Sequence, residues 1–319
     1  MTRPIIVRLL CSLLLLAPLC TASGHTLRSG AGTDSPRKEK TGDARKAKGE
    51  LPAYALYDNT GHEITFGELI DRITESEVVF VGEIHNCPIT HWLELMIAQA
   101  LYEHHGKRLV MGAEMLESDT QLILDEYMQR LISPERFGTE GRLWDNYETD
   151  YHPIVFFAKE NHIPFVATNV PRRYANSVNN HGLGILDSLS EEAKRYIAPL
   201  PIPFEYDEEQ SQATFGMMAM LGHGGDTRRL AEAQAVKDAT MGWFIARNLK
   251  EGDRFLHFNG NFHSDFHGGI IPYLERYRPG TRVVTIASVR QSEINRLDKE
   301  QMGRADFYIC VPEEMTNTY

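Results

Sequence analysis

The sequence predicts an α/β protein with a parallel-rich sheet that carries helices on both faces, an N-terminal β-hairpin and an inserted helical lid. Three observations predict this class. Short continuous apolar runs recur along the chain, as in parallel strands that are buried on both faces. Stretches of helical periodicity separate most of these runs, which is typical of a sheet with helical crossovers. The third observation is a segment at about 186–250 that has helical patterns and no convincing strand.

The predicted elements follow one another in a regular order. Residues 54–57 and 63–66 flank the turn sequence Asp58-Asn59-Thr60-Gly61 and form the hairpin. The predicted strands of the main sheet are 78–81, 109–113, 164–168, 255–258, 282–287 and 307–311. Helices are predicted over about 90–104 and 120–131, and in the lid over 190–198, 207–221 and 228–250.

Residues 1–23 have the pattern of a secretory signal peptide. Arg3 and Arg8 precede an apolar run at 9–17, and small residues follow near position 22. The run is too short for a transmembrane helix. We therefore expect an exported protein, located in the periplasm or at the outer membrane as a lipoprotein.

Residues 24–50 predict a flexible basic tether ahead of a domain that spans 51–319. The tether is rich in Gly, Ser, Lys and Arg and has no apolar residue larger than Leu27, so it cannot form a core. Cys20 lies where a bacterial lipoprotein carries its lipid, although Leu19 stands where a small residue is usual. We expect membrane contact through such a lipid anchor alone.

The charge of the chain excludes one class of partner. Its formal net charge is −11, and nine of the 33 Lys and Arg but only four of the 44 Asp and Glu precede residue 51. The remainder therefore carries 24 basic and 40 acidic residues, a net charge of −16. A body this acidic is not expected to bind nucleic acid. Two cysteines, Cys87 and Cys310, remain beyond the export segment and form no disulfide framework.

Polar side chains follow the predicted strands at the point where each strand ends. Glu83 and His85 come after the first strand, Glu114 after the second and His263 after the fourth. In open parallel sheets, ligands bind beyond the carboxyl ends of the strands. Because side chains at i and i+2 of an extended chain point the same way, Glu83 and His85 are expected to converge. The alternative is that both residues cap or solvate the next helix.

Two kinds of chemistry suit these four residues. Glu83, His85, Glu114 and His263 supply the nitrogen and oxygen ligands that a divalent metal ion requires. Without a metal, His85 with an orienting carboxylate would serve as the base of a peptide or ester hydrolase. The residues leave both alternatives open.

A second group of residues suits a large flat apolar ligand such as haem. Tyr147 and Tyr151 lie with Trp144 in one short connection, and His223 lies in a glycine-rich break near Met218. Haem iron accepts a His or Tyr ligand, and its ring is buried against apolar side chains. The alternative is that these aromatic and methionine side chains only fill the core.

Five motifs stand in order along the chain. They are Gly82-Glu83-Ile84-His85, Gly112-Ala113-Glu114-Met115-Leu116-Glu117, Asn169-Val170-Pro171-Arg172, Gln234 with Lys237-Asp238-Ala239-Thr240-Met241, and Asn259-Gly260 with His263. Taken in this order, the motifs resemble those of the ChaN family, in the wider group of the Tiki proteases and erythromycin esterases. They span about residues 75–312. Cys87 stands where the family often has an acidic residue, a departure that weakens a metal cluster at that place.

The resemblance implies an exported haem-binding protein of a bacterial haem or iron uptake system. It implies haem transfer or removal of iron from haem, an outer-membrane haem transporter as partner, and a homodimer that encloses stacked haems. It also implies a tyrosine ligand to the iron, for which Tyr151 is the first choice, with Tyr147 and His223 as alternatives. The wider group implies the competing function, a metal-dependent or histidine-based hydrolase that uses Glu83, His85, Glu114 and His263.

Overall fold

A computed structural model of the protein describes residues 51–209, 211, 212, 214 and 227–319. These residues form one eight-stranded sheet in the order β2-β1-β8-β7-β3-β6-β4-β5. The strands are β1 Ala55–Asp58, β2 Glu63–Ile64, β3 Val78–Glu83, β4 Leu109–Glu117, β5 Phe165–Asn169, β6 Arg254–Gly260, β7 Val283–Gln291 and β8 Phe307–Pro312. The predicted α/β class is confirmed, and each predicted strand is present.

The sheet is parallel except at its N-terminal hairpin. β1 pairs antiparallel with β2 and with β8, whereas β8, β7, β3, β6, β4 and β5 run parallel to their neighbours. The predicted signal peptide, the tether, Met218 and His223 lie outside the described residues.

Helices connect most of the parallel strands. Their bounds are α1 Phe66–Ile73, α2 Pro88–His105, α3 Gln121–Met128, α4 Pro134–Glu140, α5 His152–Glu160, α6 Arg172–His181, α7 Glu191–Lys194, α8 Thr227–Asn248 and α9 Ile270–Tyr277. Local sequence sets several of these ends. Thr65 and Glu68 form a capping box at the start of α1, and Pro88 occupies the first turn of α2, where its missing N–H is not needed. Within the described part of the chain, no helix is long and apolar enough to cross a membrane.

Helices cover both faces of the sheet. On the first face, Val79 and Val81 belong to the same core cluster as Leu93 and Ile97 of α2. On the second face, the core cluster of Val78 and Phe80 includes residues of α8 and α9, namely Met241, Phe244, Ile245, Ile270 and Leu274. α8, the C-terminal part of the predicted lid, packs against β5, α6 and α9. Successive residues of β3 therefore face different helical layers.

The edge strand β5 is covered by a side chain. Gln121 donates from Nε2 to the carbonyl oxygen of Phe165 at 3.0 Å, and its Oε1 accepts from the N–H of Ala167 at 2.7 Å. These are the two hydrogen bonds that a neighbouring strand would supply at this edge, so Gln121 protects backbone groups that would otherwise be free to pair.

Candidate functional site

The four predicted strand-end residues meet at one end of the sheet but divide between its two faces. Glu83 follows Val79 and Val81 on the first face, where α2 lies. Glu114 alternates with Met111, Ala113 and Met115 of the first face, so it lies on the second face, toward α8. We call the residues around Glu83 the α2 cluster and those around Glu114 the α8 cluster.

Within the α2 cluster, one carboxylate oxygen of Glu83 contacts both His85 and Tyr151. This oxygen, Oε1, lies 2.6 Å from Nδ1 of His85 and accepts a hydrogen bond from the Tyr151 hydroxyl at 2.7 Å. The side chain of Glu83 is fully buried, whereas that of His85 is 38% exposed. His85 therefore presents an imidazole at the surface of the crevice, oriented from behind by a carboxylate. Its ring meets the ring of Trp144 edge-on, with the centroids 5.0 Å apart.

His91 and Glu94 of α2 complete this cluster. Nδ1 of His91 lies 3.2 Å from Oε2 of Glu94 and 3.5 Å from Oε2 of Glu83. On the other side of the ring, Nε2 lies 3.2 Å from the carbonyl oxygen of His85 and 3.5 Å from Oδ2 of Asp150. Asp150 in turn accepts hydrogen bonds from Asn146 at 2.7 Å and from Thr318 at 2.8 Å. His91 is thus held among carboxylates from three parts of the chain.

Burial and charge act against each other in the α2 cluster. Burial disfavours the charged form of Glu83, but the hydrogen bond from His85 and the charge of His91 outweigh burial, and the pKa of Glu83 lies below its usual value. Burial together with the charge of Glu83 raises the pKa of Glu94. Burial alone would lower the pKa of His91, yet its hydrogen bond to Glu94 and the nearby carboxylates raise it to about 10. The cluster therefore favours the charged forms of Glu83 and His91 and the neutral form of Glu94.

The α8 cluster is a buried ion pair with a further acid. His263 lies in a short turn after β6, with Nε2 3.1 Å from Oε1 of Glu114 and Nδ1 2.5 Å from Oδ1 of Asp238 in α8. The amide of Gln234 lies 2.8 Å from the same Nδ1. Burial would lower the pKa of His263, but Glu114 and Asp238 raise it to about 10. The charge of His263 in turn overcomes burial and holds the pKa of Glu114 well below its usual range.

Gly260 joins the two clusters. Its N–H donates to Oε2 of Glu114 at 2.8 Å. A Cβ atom at this position would lie 2.7 Å from Nε2 of His85 and 3.5 Å from Oε2 of Glu114. The absence of a side chain therefore lets His85 approach the end of β6, and it places His85 of the α2 cluster beside Glu114 of the α8 cluster at the strand-end crevice.

Asn169 and Asn259, the asparagines of two quoted motifs, serve as supports. Asn169 donates to the carbonyl oxygen of Glu114 at 2.9 Å. Asn259 contacts the buried ring of His257, with Oδ1 2.9 Å from Nδ1, and donates to Ser264 at 3.0 Å. Burial lowers the pKa of His257 to about 4, so this ring is neutral and structural at pH 7.

The two predicted tyrosines lie in the core. Tyr147 and Tyr151 begin and end a single π-helical turn before α5, and they are 5% and 4% exposed. Burial, followed by the charge of Glu83, raises the pKa of Tyr151 far above its usual value, and burial does the same for Tyr147. Both rings line a small apolar cavity with Trp144, Met115 and Phe258.

Sequence inspection gave no role to four residues that the structure places at the site. Asp238 and Gln234 stand in a quoted motif, but nothing in the motif assigns them to His263. Glu94 had a usable signal, because His91 and Glu94 are three positions apart in a predicted helix and so share a face. Asp150 had none, since its position depends on the π-helical turn.

Comparison with solved structures identifies proteins of similar architecture. The ChaN structure of Campylobacter jejuni, described as binding haem cofacially, aligns with a TM-score of 0.62 at 17% identity, over 80% of this chain and 96% of that one. An erythromycin esterase in its open conformation aligns with a TM-score of 0.44 at 11% identity, over 83% and 98% of the two chains. A protein from Bacillus cereus aligns with a TM-score of 0.44 at 10% identity, over 82% and 95%. The ChaN alignment indicates a shared fold.

Comparison with curated protein sequences gives no significant match. Comparison with protein families gives a match over residues 69–274, to the family described as haem-binding uptake, Tiki superfamily, ChaN. The matched range begins in α1 and ends in α9, so it contains every residue of both clusters except Thr318. The chain therefore belongs to the ChaN family of haem-binding proteins.

Proposed function

We propose that this protein binds haem at the mouth of the strand-end crevice. Membership of the haem-binding ChaN family over residues 69–274 is the observation that carries the proposal. The haem would be the bound ligand of an exported protein, and its iron would take a ligand from the crevice.

The described residues suit haem better at the mouth of the crevice than in the core. In the core, the cavity beside Tyr147 and Tyr151 is small and apolar, and the Tyr151 hydroxyl is already bound to Glu83. At the mouth, His85 is 38% exposed and its Nδ1 is held by Glu83. A histidine held in this way by a carboxylate has the orientation of a metal ligand. Phe262, 47% exposed beside His263, and the half-buried Trp144 add aromatic surface for a flat apolar ring.

Two side chains therefore compete as the iron ligand. His85 has access to the mouth, and Tyr151, the first choice under the family resemblance, shares the same Glu83 oxygen behind it. Ligation by Tyr151 requires the 147–151 turn to open and Glu83 to release the hydroxyl. We assign the ligand to His85 and keep Tyr151 as the tested alternative.

Titration of the purified protein with hemin, followed by the Soret band, tests the proposal. We expect saturable binding by the wild type and at least a tenfold weaker affinity with an altered ferric spectrum in His85→Ala. Tyr151→Phe should leave the spectrum unchanged if His85 is the ligand and remove the phenolate charge-transfer bands if Tyr151 is. His62→Ala, at an exposed histidine near the hairpin, is the control for nonspecific binding. Absence of a saturable shift in the wild type would refute haem binding.

The proposed cellular role is haem or iron uptake outside the cytoplasm. The apolar run at 9–17 and Cys20 support export, with lipid attachment as the membrane contact. Transfer of haem to an outer-membrane transporter, removal of its iron and pairing of two copies are parts of the same proposal. Fractionation of expressing cells, with Cys20→Ser as the variant, tests the anchor: the wild type is expected with the membranes and the variant in the soluble exported fraction.

A hydrolase is the second candidate function. The observation that favours it is the exposed His85 with Nδ1 bound to the buried Glu83, because general bases are often oriented in this way. The neighbouring Glu114 and His263 would act from behind this base, as a buried ion pair that holds the N–H of Gly260 and with it the end of β6. Hydrolysis of peptide or ester panels by haem-free protein, abolished in His85→Ala, would support this function. Equal residual rates in the wild type and the variant would refute it.

A further inference from the structure

The carboxylates Glu83 and Glu94 meet in the interior without enough hydrogen-bond donors. Both side chains are fully buried. Oε2 of Glu83 and Oε1 of Glu94 accept no hydrogen bond from any residue that the structure describes. Buried carboxylate oxygens without a donor are costly, so this pair requires either a proton shared between the two carboxyl groups or a bound cation.

The ring of His91 lies between these two carboxylates. Its Nδ1 is 3.2 Å from Oε2 of Glu94 and 3.5 Å from Oε2 of Glu83. Ligand atoms about 2.1 Å from one metal ion lie roughly 3.0–3.4 Å from each other at neighbouring positions. One ligand atom from each of the three residues lies within 4.8 Å of the other two. A small movement of the side chains would close this set around an ion.

We propose that Glu83, His91 and Glu94 bind a divalent first-row transition metal ion. The site differs from the one expected from sequence, because His91 and Glu94 take the places that His85, Glu114 and His263 were expected to fill. It also goes beyond haem binding, since all the ligands are protein side chains below the mouth of the crevice.

The surroundings of these three residues match those of a metal site. The remaining nitrogen of His91, Nε2, lies 3.2 Å from the carbonyl oxygen of His85 and 3.5 Å from Oδ2 of Asp150. Histidines that bind metals usually donate their other N–H to a carbonyl or carboxylate, which fixes the tautomer. The remaining oxygen of Glu83, Oε1, is held by His85 and Tyr151. These contacts fix one polar atom of His91 and one of Glu83. The remaining atoms, Nδ1 of His91 and Oε2 of Glu83, lie 3.5 Å apart and are the proposed ligand atoms.

The ligand types define the class of ion. Two carboxylates and one imidazole, without sulfur, suit Mn²⁺, Fe²⁺ or Zn²⁺ and disfavour Cu⁺. His91 and Glu94 come from adjacent turns of α2, and Glu83 comes from the end of β3. Bound metal would thus cross-link a helix to the sheet next to His85.

Metal uptake by haem-free protein tests the proposal. The full chain, shown free of Soret absorbance, is stripped with a chelator and dialysed against Zn²⁺ or Mn²⁺, and bound metal is counted by mass spectrometry. We expect one ion per chain in the wild type and more than about a 100-fold loss of affinity in Glu94→Gln. Glu103→Gln, at an exposed position of the same helix, is the matched control and should bind as the wild type does.

Two measurements on the wild type keep the test decisive if Glu94→Gln does not fold. Added metal should raise the melting temperature, because a ligand that binds only the folded state stabilises it. Co²⁺ should give the visible absorption of a site with nitrogen and oxygen ligands. If the wild type takes up no stoichiometric metal and shows neither effect, Glu83 and Glu94 share a proton instead and the proposal is wrong. Because hemin is absent, this outcome is independent of haem binding.

Discussion

His85 lies so close to Gly260 that no other residue fits at position 260 without displacement. A Cβ atom there would be 2.7 Å from Nε2 and 2.8 Å from Cε1 of the imidazole. His85 is also bound to Glu83 on its other side, so the ring has little room to retreat. The position of the His85 imidazole therefore depends on the absence of a side chain at residue 260.

Gly260→Ala should displace His85 and destabilise the protein. We expect a loss of about 1–3 kcal/mol in the free energy of unfolding, as for other overpacked sites. Urea denaturation measures it, and hemin titration should show weaker binding. Gly138→Ala is the control, because it lies inside α4 and no atom lies within 4 Å of the position that its new methyl group would occupy. That variant should be neutral or more stable by up to about 1 kcal/mol, and equal losses in both variants would contradict the assignment.

Tyr147→Phe and Tyr151→Phe should change stability in opposite directions. The Tyr151 hydroxyl donates to the ionised Glu83, and removal of a hydrogen bond to a charged group costs about 1.5–3 kcal/mol. The Tyr147 hydroxyl is buried with no hydrogen-bond partner in the described part of the chain, so its removal should gain up to about 1 kcal/mol. Thermal and urea unfolding measure both changes. Destabilisation of equal size in the two variants would contradict the contacts.

His257 should make the protein less stable in mild acid. Burial lowers its pKa from the ordinary value of 6.5, which applies to the unfolded state, to about 4 in the folded state. Between these two pH values only the unfolded state binds the proton. The free energy of unfolding should therefore fall by about 2.5 kcal/mol from pH 7 to pH 4.5 through this residue. Comparison of unfolding across that range in the wild type and His257→Asn isolates the effect. Parallel curves for the two proteins would show that His257 titrates normally.

His263 should make the protein less stable as the pH rises above neutral. Its pKa is raised from 6.5 to about 10, so its stabilising charge is fully present below pH 6.5 and is lost as the pH rises toward 10. The contribution should fall by about 2.5 kcal/mol between pH 7 and pH 9. Unfolding of the wild type and His263→Gln over this interval measures it. The idea fails if the difference between the two proteins does not shrink with rising pH.

The sheet was predictable because its strands are buried on both faces. Runs such as Val78–Val81 are continuously apolar, and only strands between two helical layers need that pattern. The observed strands extend past the predicted ends to Glu83, Glu117 and Gly260. Polar residues at a strand end resemble a loop in a sequence, although here they continue the strand and lie at the candidate site.

The site was predictable in part. Strand-end position was enough to find Glu83, His85, Glu114 and His263, but not to divide them between the two faces of the sheet. The division follows from strand register, which a single sequence does not reveal. Asp150 depends on an irregular turn, and Asp238 depends on how α8 lies over the sheet, so neither could be derived from local pattern.

Gln121 limits how copies of this chain can assemble. The Gln121 side-chain amide already binds the carbonyl oxygen of Phe165 and the N–H of Ala167 on the outer edge of β5. An approaching strand therefore finds no free donor or acceptor at these two residues. Two copies cannot merge their sheets into one continuous sheet through this stretch of β5. Any homodimer must instead be assembled from helices, from loops at the crevice or from the short strand β2 at the opposite margin.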